Sequence, residues 1–151
     1  MKAIFKCTDK LLTDVRSDLV RPHEYAAERV GFLSCRFGSL PNGGLVFLAC
    51  GYHPVEDGDY IDDQAYGALI GPSAIRKALQ RTYNYAVGMF HVHMHAHRGK
   101  PGFSVIDRKE MAKLVPNFFN ARNTVPHGAL VLSVDSACGF FWLPNRPLPA
   151  P

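Results

Sequence analysis

The stretch Gly88–Asp107 constrains this chain more than any other, because it demands a strand, a turn and a helix in immediate succession. An apolar run ends in His91 and His93, a loop containing Gly99, Pro101 and Gly102 follows, and Ser104 and Asp107 open a helix. On an extended strand, residues i and i+2 share a face, so both imidazoles can converge on one ion. Asp107 stands in the first turn of the helix, where the loop reversal can bring its carboxylate back as a third ligand. Three protein ligands with one position left open is the arrangement of a catalytic zinc site rather than a closed structural one.

Plainer readings attach to the same residues. Ser104 and Asp107 also spell a capping box, in which serine accepts the backbone N–H three residues on and the acid returns the bond. The two roles are compatible, since a cap would aim the carboxylate. His95 and His97 continue the alternation, and a His-rich tract can hold metal without catalysing anything. The glycines and proline that follow mark the chain leaving the strand, so both are assigned to the loop. A hydrolytic site further needs a carboxylate that acts as base rather than ligand. Glu24 and Glu28 both precede the apolar run Val30–Phe37, and the residues alone leave the choice between them open, each having an exposed loop position as its ordinary fate.

Taken together, Glu28-x-x-Gly31-x-Leu33, Gly88-Met-Phe-His91-Val-His93 and Ser104-x-x-Asp107 resemble the JAB/MPN (JAMM) metalloproteases. The order of elements is similar from about residue 25 to residue 143. A bacterial branch often encoded beside E1-like and E2-like proteins is the most similar over His91–Asp107. The resemblance implies an α/β fold, a mixed curved sheet flanked by helices, over residues 1–143, with 144–151 as a proline-rich tail. It implies one zinc ion on His91, His93 and Asp107, Glu28 rather than Glu24 as base, and a Ser104 hydroxyl stabilising the oxyanion. The implied activity is isopeptide or peptide cleavage at the C-terminus of a ubiquitin-like or sulfur-carrier-like protein, with E1-like and E2-like proteins as further partners. Family members carry a proline after the second histidine and a shorter gap to the serine; here Met94 follows His93, and ten residues precede Ser104. A register using His93 and His95 leaves eight. The Gly-Met-Phe approach to His91 favours the first register.

Composition narrows the alternatives. At 151 residues, 47% hydrophobic and 20% charged, the chain suits one globular domain. No apolar run is long enough for a membrane span, and the opening residues lack the apolar core of a signal peptide, so the cytoplasm is expected. Cys7, Cys35, Cys50 and Cys138 are scattered without C-x-x-C spacing, which favours free thiols; Cys35 and Cys50 lie in apolar runs and read as core residues. The net charge of +4 comes from dispersed Lys and Arg, which argues against nucleic acid and for a basic face toward an acidic partner.

The remaining pattern predicts strands at 3–6, 30–37, 45–52, 86–93, 129–134 and 140–143, and helices at 72–82 and 104–119. Thr8 is expected to cap a further helix carrying Leu11, Leu12, Val15 and Leu19, ended by Pro22. The acidic run Glu56–Asp63 reads as a solvated loop, and the tail from Pro144 as extended or frayed. Three competing functions remain: a zinc-free scaffold of the same fold, a zinc hydrolase of small amide adducts, and metal storage on the His tract.

Overall fold

A computed structural model describes residues 2–146 and 148–151. Eight strands and three helices alternate in an α/β arrangement: β1 (Ala3–Lys6), α1 (Asp9–Leu19), β2 (Val30–Ser39), β3 (Leu45–Pro54), β4 (Tyr60–Ile61), β5 (Leu69–Ile70), α2 (Pro72–Tyr85), β6 (Gly88–Met94), α3 (Val105–Ala121), β7 (His127–Leu132) and β8 (Ala137–Trp142). Six strands form one curved, mixed sheet in the order β1-β3-β2-β6-β7-β8, and β4 pairs with β5 separately. Pairing is parallel for β1/β3 and β6/β7 and antiparallel for the other neighbours.

Both faces of the sheet are covered, which explains why β6 and β7 are buried almost throughout and mostly apolar, their three histidines apart. Phe90, Val92, Leu130 and Leu132 point toward α1 and pack with Val15, Leu19, Phe47 and Phe141. Met89, Ala129 and Val131 point the other way, toward α2 and α3, and pack with Ala78, Val115 and Phe118. Period-2 alternation places His91 and His93 on the same face as Met89.

The helices start where local chemistry dictates. The Thr8 hydroxyl accepts the N–H of Leu11, and Pro72 occupies the first turn of α2. α1 stops at Leu19, before Pro22. α2 runs three residues beyond the expected Thr82 because Ala86 adopts a left-handed conformation, φ 50°, that caps it. β7 and β8 both begin earlier than the hydrophobic pattern suggested: β8 at Ala137 because the turn before it is confined to Ser133–Ser136, and β7 at His127, which pairs with Trp142.

Three expectations need correction or refinement. Cys35 is buried, but Cys50 is exposed: Ala49 takes the inward position on β3 and alternation turns its neighbour out. The acidic run is largely exposed, as a solvated loop would be, and three of its acids also pair with cations: Arg29 bonds Asp57 at 2.6 Å, and Lys77 reaches Glu56 and Asp59 at 2.9 and 2.8 Å. The tail is docked rather than frayed, Ala150 and Phe141 exchanging two backbone hydrogen bonds of 2.7 and 2.8 Å; Pro147 lies outside the described residues. Among the described residues no helix is long and apolar enough to cross a membrane.

Candidate metal centre

The site forms where the C-terminal end of β6, the approach to β2 and the first turn of α3 meet. β2 and β6 pair with Val30 opposite His93, which carries Glu28, two residues upstream, alongside the histidine-bearing strand end. Glu28 is fastened from several sides. The N–H groups of Ala27 and Glu28 both donate to the Gly67 carbonyl, at 2.8 and 3.2 Å. The buried Arg29 guanidinium donates to the carbonyls of Arg21 and Pro22 and to Asp57. The Tyr60 hydroxyl bridges both backbone groups of Val30. A Cβ on Gly67 would stand 2.3 Å from Glu28 Oε1, so only glycine leaves that carboxylate its place. Gly31 has a comparable reason, since a Cβ there would meet the Tyr52 ring at 2.5 Å. Glu24, by contrast, is exposed and outside the site.

Glu28, His91, His93 and Asp107 line one small cleft of about 50 Å³, together with Tyr66 and Glu110. His91 and His93 are 5% and 2% exposed, which makes the state of their nitrogens decisive. Nδ1 of His91 and both ring nitrogens of His93 are buried with no hydrogen-bond partner. Buried polar atoms are ordinarily satisfied, so imidazole nitrogens without a protein partner, on residues that share a cleft with carboxylates, fit a site completed by a cation or by water. Burial, with His93 adding to it, pushes the His91 imidazole down to about 3, which keeps the ring neutral and its lone pair available.

The carboxylates diverge. Asp107 is held well below the usual carboxylate range, first by His93 beside it and then by the Ser104 hydroxyl and N–H. Its Oδ2 lies 3.6 Å from His93 Nε2, too far for a hydrogen bond between them. Burial raises Glu28, opposed first by His93 and least by His95, with Asp107 adding a smaller push upward. One acid is thus poised to stay anionic and the other to accept and release a proton.

Ser104 is the N-cap of α3. Its hydroxyl accepts the Asp107 N–H at 3.1 Å, and its own N–H donates to Asp107 Oδ2 at 2.7 Å, a complete capping box. The plain reading of this pair is therefore realised, and it does aim the carboxylate at His93. Ser104 itself is exposed and outside the cleft lining, and its hydroxyl is one of the groups that hold Asp107 anionic.

The closest convergence of donors differs from the expected set. One ligand atom each from Glu28, His93 and His95 lie within 4.8 Å of one another, a group that could hold a metal ion. His95 is the first residue beyond β6, kept in line by its N–H donating to the Leu132 carbonyl at 2.9 Å. His97 is exposed, with Nδ1 2.9 Å from the Arg98 carbonyl oxygen, and belongs to the loop as expected. His93 is common to both histidine registers. Continued alternation through His95 was the available signal for its place beside His93; nothing in the sequence around Gly67 marked it as the carbonyl that holds Glu28. The donor set of imidazoles and carboxylates suits a divalent cation of the zinc type. No protein-family model matches the chain, and no curated protein matches it.

Proposed function

We propose that the chain is a zinc-dependent hydrolase of the JAB/MPN kind, cleaving an isopeptide or peptide bond at the C-terminus of a ubiquitin-like or sulfur-carrier-like protein. The observation that carries this reading is the set of buried imidazole nitrogens on His91 and His93 without protein partners, on residues that share one cleft with an anionic Asp107 and with a second carboxylate of raised proton affinity. His93 and Asp107 would hold the ion, with His91 or His95 as the second imidazole according to register. When bound, zinc supplies Lewis acidity, which activates water near neutral pH and polarises a carbonyl. Glu28 accepts the proton of the attacking water and delivers it to the departing amine. On the sequence resemblance, the Ser104 hydroxyl would turn from Asp107 to donate to the developing oxyanion, and removing such a donor costs on the order of 10²–10³ in rate. The substrate class, and E1-like and E2-like partners with it, rest on the sequence resemblance.

The tight grouping of Glu28 with His93 and His95 favours a second reading, in which Glu28 is a ligand and the centre holds metal without hydrolysis. Elemental analysis of wild type, Asp107→Ala and Glu28→Gln, with turnover of isopeptide-linked and short acyl-lysine substrates, separates the two. Hydrolysis predicts one zinc per chain, lost in Asp107→Ala, and a Glu28→Gln protein that keeps zinc but not activity. Zinc lost from Glu28→Gln makes Glu28 a ligand and supports the second reading; no stoichiometric metal in wild type sinks both.

A further inference from the structure

On the far side of Phe103 from the metal centre lies a feature the proposed reaction does not use. The Phe103 ring packs against His93 with centroids 5.8 Å apart and against Phe140 at 4.4 Å, and Phe140 in turn packs on Trp142 at 5.2 Å. These rings, with Pro116 of α3, line an apolar groove of about 410 Å³ whose outer wall is Leu148, Pro149 and Pro151 of the chain's own tail. β8 is the last strand of the sheet, so its outer edge is open to pairing. Among the described residues only Phe141 uses that edge, exchanging its two bonds with Ala150. Ala137 and Gly139 share its orientation by antiparallel alternation, and no hydrogen bond among the described residues occupies their outward groups. The tail is a loose occupant: Leu148, its one large apolar side chain, is 77% exposed although the groove beside it has room.

We propose that the β8 edge and the Phe103–Phe140–Trp142 groove form a binding site for an extended, proline-containing apolar peptide of a partner protein, and that Leu148–Pro151 is a built-in competitor for it. The tail defines the chemistry of the occupant. It shows that an apolar-Pro-small-Pro segment can lie along this edge with one residue paired, and aromatic-lined grooves suit stiff proline-containing chains. A longer peptide would gain the unused groups of Gly139 and Ala137 and fill the space that Leu148 leaves. A tethered tail acts at an effective concentration in the millimolar range, so even a weak intramolecular contact hides the site from a dilute ligand. The inference is independent of the catalytic reading, since binding needs no metal.

The test uses full-length protein and the chain's only tryptophan, Trp142, as reporter. Wild type and the double variant Leu148→Asp/Ala150→Pro are titrated with a synthetic peptide of the sequence Asn-Arg-Pro-Leu-Pro-Ala-Pro, following Trp142 emission, with far-UV circular dichroism to verify the fold. Ala150→Pro removes the donor to the Phe141 carbonyl and Leu148→Asp disfavours apolar seating. The expected result is saturable binding to the variant, at least tenfold tighter than to wild type, with emission returning toward the wild-type spectrum. No saturable binding to the folded variant, or equal affinity in both proteins, overturns the proposal. A variant that dimerises with rising concentration in sedimentation would make a second copy the occupant and overturn it equally.

Discussion

Two sets of buried histidines sit on the α3 side of the same sheet, and they are solved in opposite ways. His127, at the start of β7, is fully buried; its Nδ1 accepts the Met89 N–H at 3.0 Å, and its Nε2 lies 2.8 Å from the Arg122 carbonyl oxygen. Rings of Phe118 and Phe119 close around it. His91 and His93, two strand positions apart on neighbouring β6, are as deeply buried yet leave three nitrogens without partners. A buried histidine is therefore not by itself a sign of function; what separates a structural ring from a candidate ligand is whether its hydrogen bonds are complete.

Substitution should split the pair most widely. His93→Ala is expected to abolish stoichiometric zinc and lower turnover by at least on the order of 10²-fold, while costing the metal-free protein less stability than His127→Ala, because both open a cavity but only His127 gives up made hydrogen bonds. His127→Ala should do the reverse, costing roughly 2–4 kcal/mol in chemical denaturation by opening a cavity and stranding the Met89 N–H, with zinc per folded chain unchanged. If the two variants lose stability and metal alike, the distinction fails.

Acid should expose the satisfied ring next. Burial pushes His127 down to about 4, below its ordinary 6.5, against a smaller opposing pull from the Arg122 carbonyl. A folded-state value below the unfolded one means the neutral ring's contribution is complete above about pH 6.5 and is lost as pH falls toward 4. The slope is up to about 1.4 kcal/mol per pH unit. The difference in unfolding free energy between wild type and His127→Gln, measured across that window, should shrink as pH falls; a constant difference removes His127 as its source.

The smallest effect concerns the cap. Ser104→Ala breaks one half of the capping box and should cost about 1 kcal/mol of stability. If Ser104 only aims Asp107, zinc affinity should fall along with turnover; if it also donates to the oxyanion, turnover should fall at saturating zinc as well. Zinc titration followed by a rate measurement on the loaded variant distinguishes these.

Much of this architecture was written in local pattern. The Thr8 and Ser104 caps, Pro72 in the first turn of α2, the alternation of β6 and the His-x-His on one face follow from contacts within a few residues, and they stand in the structure as read. Other features depended on contacts between distant segments. Beyond the family resemblance, Glu28 is separated from Glu24 by the β2–β6 register and the Gly67 carbonyl. Cys50 points outward because Ala49 holds the inward place on β3. His95 joins His93 and Glu28 because Leu132 of β7 keeps the chain extended one residue past β6. The tail pairs with β8 because an open sheet edge is waiting there.

By itself, then, the sequence determined the strands of the main sheet and the helices, though not the short β4–β5 pair, where the helices begin, and that paired histidines and a capped acid follow one another around a single turn. Those properties are set by backbone sterics and by hydrogen bonds spanning two to four residues. The tertiary structure alone decided which carboxylate meets the histidines, which imidazoles are left without partners and which only fill the core, and what covers the β8 edge. Each of those outcomes rests on strand register and on desolvation by residues far away in the chain, and neither is encoded in any one window of sequence.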